Sequence, residues 1–152
     1  MLIAAYRDTG YNLVLFLHIV AVLVAMAPAV VHPILFELEK RRDDGDLVAL
    51  SQRIAASAQI YAIAVVVAGV IGFGLVSMSD GLIEWGDTWV WLSILVWIAL
   101  NGVLHGAMFP AERQLAGGDR SAMAKIERIG PVLGVMVLAL IYLMTVKPGG
   151  GF

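Results

Sequence analysis

Three histidines carry most of the chemistry open to this chain: His18, His32 and His105. No cysteine is present, which excludes disulfides, thiolate metal sites, iron–sulfur ligation and cysteine nucleophiles. An imidazole titrates near neutral pH and ligates metals through either ring nitrogen. His32 and His105, facing each other across a helical bundle, would suit the two axial positions of a haem b iron, a shared divalent metal, or proton transfer. The plainer reading gives each of them a hydrogen bond to a carbonyl near a membrane interface. Asn101 lies four residues before His105 and so on the same helix face, which adds it to the candidate cofactor-binding set. His18 stands about four helical turns before His32, roughly 21 Å along the axis. It therefore belongs to a separate site, as a proton-relay group or as a histidine satisfied by Tyr142, Thr145 or another outer-leaflet polar group.

Composition dictates the elements that must hold these side chains. Of 152 residues, 61% are hydrophobic and 14% charged, and the mean hydropathy is +0.89; a soluble domain carries about 25% charged residues. Four apolar stretches, near 12–36, 57–78, 88–110 and 131–146, match or approach the ~20 helical residues that cross a bilayer core. Lipid forces the backbone of each span to satisfy itself, so the expected fold is all-α, an integral-membrane four-helix bundle in a single transmembrane domain. Lys40, Arg41, Arg42 and Arg53 follow the first span, and Arg113, Arg120, Lys125 and Arg128 the third. The second connection holds Asp80, Glu84 and Asp87 and no cation, and the termini contribute only Arg7 and Lys147. The positive-inside rule then makes 37–56 and 111–130 cytoplasmic loops of a bacterial inner-membrane protein, with both termini outside and Trp85, Trp89 and Trp91 in the outer aromatic belt. Ala25-Met26-Ala27 has the form of a signal-peptide cleavage site, but Pro28 directly after it argues for a retained span. Asp46 and Ser121 are the expected N-caps of the helices leading into spans two and four. Gly130-Pro131 is expected to kink or restart the latter, and Gly69, Gly72 and Gly74 to let a neighbouring helix approach.

The chain also resembles itself. At an offset of 73 residues, His32, Phe36, Glu39, Gly45, Asp46 and Ala49 match His105, Phe109, Glu112, Gly118, Asp119 and Ala122. The implied architecture is two similar hairpins, about 12–78 and 88–147, related as a parallel repeat by an axis along the membrane normal. That axis makes His32 and His105 mates at one depth.

Leu17-His18-Ile19-Val20-Ala21, the segment Gly86-Asp87-Thr88-Trp89, and the ending Tyr142-Leu143-Met144-Thr145-Val146-Lys147-Pro148 resemble a bacterial family of small integral-membrane proteins, the domain of unknown function numbered 2269. The resemblance spans nearly the whole chain and implies the four-span topology. More distantly, the Leu-His start of the first span is similar to four-helix membrane proteins of the CopD copper-resistance type and to the HemJ type of protoporphyrinogen oxidase. The latter resemblance implies haem ligation by His18. The Trp-x-Gly that usually follows this histidine is replaced here by Val24-Ala25-Met26-Ala27-Pro28.

Other patterns point away from chemistry. Ten Lys and Arg against 12 Asp and Glu leave no basic excess for nucleic acid. The run from Glu37 to Asp46 lacks the alternating acids of a calcium loop. Glu39-Lys40 and Glu112-Arg113 read as a docking surface for a partner or, more simply, as charged helix ends at the membrane surface. Gly149-Gly150-Gly151 precedes no helix and is no phosphate loop, and the methionines lack copper-path clustering. The first expectation for function is a structural or accessory membrane protein, working as a homo-oligomer or as a subunit of a larger complex. A haem b redox protein using His32 with His105, or His18, is the second, and an oligomeric channel or transporter for small solutes the third.

Overall fold

A computed structural model describes residues 9–150; Arg7 of the N-terminus lies outside them. All regular structure in the described residues is helical: α1 (Thr9–Lys40), α2 (Leu47–Ser77), α3 (Thr88–Val103), a π-helical turn (Leu104–Met108), α4 (Phe109–Ala116) and α5 (Ala122–Val146). α3, the π turn and α4 form one continuous rod, so four helices are long and apolar enough to cross a membrane. Around the bundle, α1 packs on α2, α2 on α4, and α3 and α4 on α5, with a thin seam between α5 and α1 closing the circle. α1 and the third rod therefore face each other across the interior.

Each helix carries apolar residues on nearly all sides, as a rod solvated by lipid must. One core cluster runs through the charged half of the bundle and includes Phe36, Ile54, Leu100, Leu115, Ile126 and Leu133. A smaller one, Trp89, Val90 and Leu143, closes the other end. Large apolar side chains such as Leu23, Val135 and Leu138 remain about two-thirds exposed. Such a surface is an aggregation hazard in water and an ordinary one in hydrocarbon. Trp85 and Trp91 are exposed as an interfacial belt requires, but Trp89 is buried, with the Lys147 ammonium 5.4 Å from its ring centre. Thr88 begins α3, and the next residue falls on the stripe that meets α5 rather than on the lipid face.

The connections follow their local chemistry. Asp46, in extended backbone, accepts the amides of Val48 and Ala49 and caps α2 as expected. Ser121 does not cap α5 with its side chain: its backbone is already helical, which turns the hydroxyl away from the free amides. The hydroxyl and the Ser121 amide donate instead to Asp119 Oδ1. These two bonds hold the Asp119 carboxyl below its ordinary value. Its contribution is therefore complete above the ordinary Asp range, about pH 4, and is lost as pH falls through the lowered folded value. Ser121→Ala should raise the Asp119 midpoint in an NMR pH titration; an unchanged midpoint would deny the hydroxyl this role. Pro131 does not interrupt α5. The carbonyl it deprives of a donor belongs to Glu127, whose side chain is half exposed, so water at the charged end can serve that carbonyl. The Glu127 side chain also pairs with Lys40 at the end of α1.

Candidate functional site

The interior of the bundle holds polar side chains that the lipid-facing surface cannot, and the histidines of α1 lead there. Only His18, His32 and Phe36 are fully buried on that helix. Fourteen residues are nearly four whole turns, so both imidazoles point to the same side. His18 Nδ1 lies 2.9 Å from the Ala68 carbonyl of α2. A carbonyl only accepts, which puts a proton on Nδ1 and, in the neutral ring, leaves Nε2 as the lone pair. Tyr142 is exposed, and the Thr145 hydroxyl donates to its own helix at Ile141, so neither is the partner that the sequence suggested for His18.

Glycine makes this contact possible. A Cβ on Gly72 would lie 3.3 Å from His18 Cε1. One turn earlier, a Cβ on Gly69 would lie 2.4 Å from two atoms of the Trp97 ring, whose Nε1 donates to Val65 O at 2.9 Å. In both cases a ring N–H reaches the carbonyl four residues before the glycine. Gly69 and Gly72 thus admit rings carried by the neighbouring helices α3 and α1. Nothing stands within 4 Å of a Cβ on Gly74.

Nearer the charged end, His32 Nδ1 lies 3.3 Å from Glu112 Oε1, a bond from α1 to α4 across the bundle. His32 is 6% exposed and Glu112 2%. Tyr61 of α2 stacks edge-on against the His32 ring, with centroids 5.7 Å apart. Glu112 Oε2 is buried and has no hydrogen-bond partner. Glu112 is therefore no surface helix end, and sequence reading missed it. One signal was available: Met108, Ala111 and Leu115 are buried on the same stripe, at the three- and four-residue spacing that carries Glu112 inward.

The π turn decides where its neighbours go. Phe109 N–H bonds to Leu104 O, five residues back, and Pro110 has no N–H with which to restore the α pattern. The extra residue rotates α4 relative to α3. His105 is exposed and stacks edge-on upon Phe109, while Glu112 turns inward. Asn101 donates to Trp97 O of its own helix. His32 and His105 thus lie on different surfaces and do not flank a common ligand, and Asn101 joins neither.

A cavity of about 130 Å³ extends from His18, Ser93 and Trp97 to His32, Tyr61 and Glu112, with an otherwise apolar wall drawn from all four spans. On the far side of Glu112 a groove of about 350 Å³ is lined by His105, Phe109, Gln59 and Arg113. Glu112 and Phe109 belong to both walls. No second histidine stands opposite His18 or His32 to complete a bis-histidine site for haem. Among the described residues, no three His, Asp or Glu side chains gather as metal ligands. No family model, curated protein or solved structure matches the chain, so its function is read from this interior.

Proposed function

We propose that this small multi-pass membrane protein takes up and releases protons at the buried His32–Glu112 pair, and that this pair is the working centre of the bundle. One observation carries the reading: a carboxylate on the wall between an exposed groove and an interior cavity, bonded to an imidazole through one oxygen and unpartnered at the other. Ionisable side chains at membrane depth are costly and are kept at proton and ion pathways. Water in the groove, whose wall includes Glu112, exchanges a proton with its carboxyl. Oε1 stays on His32, whose ring takes or returns the second proton of the pair. The titratable and charged groups around the pair are Tyr61 from α2 and His105 and Arg113 from the third rod; the cavity wall from α5 has none. The placement of eight of the ten cations in the first and third connections supports a cytoplasmic groove and outward termini.

An accessory or oligomeric role drew its support from spans poor in polar groups, and the buried His18, His32 and Glu112 favour a chain with a centre of its own. An apolar wall offers little to a hydrated ion, which weighs against a channel. Infrared difference spectroscopy of the protein in nanodiscs tests the proposal. A protonated-carboxyl band that follows pH, vanishes in Glu112→Gln and equilibrates several-fold more slowly when Ala58→Phe fills the groove is the expected result. A pH-independent band, or one that survives Glu112→Gln, would overturn it. Should Glu112→Gln not fold, nitrogen NMR of His32 in the wild type takes its place: a ring whose protonation follows the carboxyl band supports the proposal, and one that never changes protonation overturns it.

A further inference from the structure

The cavity has a chemistry separate from proton exchange. Its wall is apolar along most of its length, yet it carries an acceptor at each end, and the one ring hydroxyl on the wall, that of Tyr61 beside His32, makes no hydrogen bond to Glu112. At one end stands Glu112 Oε2, on a side chain 3% exposed and without a partner. At the other stands His18, whose Nε2 is the lone pair of the neutral ring when Nδ1 donates to Ala68 O. A volume of 130 Å³ compares with the engineered cavity of about 150 Å³ that takes up benzene. The space runs between histidines roughly 21 Å apart, so it is one ring or one chain wide.

We infer that the bundle binds a lipophilic alcohol or phenol, its hydroxyl donating to Glu112 Oε2 and its apolar body lying along α1 between Ala29 and Val65. The hydroxyl supplies the one hydrogen bond that the carboxylate lacks, and the body replaces empty space with dispersion contacts. The inference goes beyond proton exchange and stands on the cavity, so each can fail alone.

The test is thermal unfolding of the full chain in nanodiscs with para-cresol, a phenol close to benzene in size, or with its methyl ether, which keeps the ring and has no donor. The phenol should raise the unfolding midpoint by several degrees in a saturable way. The ether should give a small fraction of that shift, and Ala29→Leu, which fills the space, should abolish it. Equal shifts with phenol and ether mean partition into lipid and would overturn the inference, as would a phenol shift that persists in Ala29→Leu. If Ala29→Leu does not fold, Val65→Phe fills the same space from α2, and the phenol–ether comparison in the wild type decides alone.

Discussion

Alanine at Gly69 is expected to cost the bundle about 2–5 kcal/mol, the sum of overpacking and of stranding a buried donor. The new methyl would sit 2.4 Å from Trp97 Cε2 and Cζ2, and an indole has no flexible end to move aside. Trp97 is held on two sides, by its bond to Val65 O and by Phe73 packed edge-on with centroids 5.9 Å apart. Moving the ring would leave Nε1 without an acceptor in a medium that has no water to replace it. The same change along α2 should grade with distance. Gly72→Ala, 3.3 Å from His18 Cε1, should cost less, because an imidazole need give way by only a few tenths of an ångström. Gly74→Ala meets nothing and should be neutral, or stabilising by the helix propensity of alanine, about 1 kcal/mol. Reversible denaturation of the three variants, followed by tryptophan fluorescence, checks the series. A Gly69→Ala protein within ~0.5 kcal/mol of wild type would show that Trp97 does not lie on α2.

Removing one member of the His32–Glu112 pair should do more damage than removing both. Glu112→Ala leaves a buried imidazole with no partner at Nδ1, at a cost of about 1–3 kcal/mol for a neutral pair and about 3–5 if the pair is ionised. His32→Leu strands a carboxylate in the same way. The double variant, His32→Leu with Glu112→Leu, removes both polar groups and fills their places with apolar ones. It should recover most of either loss, with a coupling energy in the range of about 0.5–3 kcal/mol. Stability of the four proteins of the cycle, measured at one pH in one lipid, checks this. Additive losses would mean that the two side chains do not interact across the bundle.

Much of the interior was visible in the sequence as residue types and little of it as partners. The histidines stood out as the polar exceptions within apolar spans, and Gly69 and Gly72 as small residues with a packing purpose. The partners of His18 and of the Trp97 ring that Gly69 admits are backbone carbonyls, Ala68 O and Val65 O. Carbonyls are present at every position and carry no sequence signal. The offset-73 pattern led toward a shared His32–His105 site, but the two residues occupy different surroundings. The mates Glu39 and Glu112 differ as well: Glu39 accepts the Asp46 amide in the exposed connection, while Glu112 is buried.

What the sequence determined by itself was the number of spans, their helical state and the sorting of charge to their ends. Each of these follows from the transfer of side chains and backbone between water and hydrocarbon, a property of composition and local order. Tertiary structure decided the phase of each rod. A single π turn beside Pro110 rotates α4 enough to bring Glu112 to His32 and leave His105 outside. Such a turn arises when a lost amide donor and the packing of four helices settle on one compromise. Hydropathy averages over a full turn and cannot register a rotation of a fraction of one.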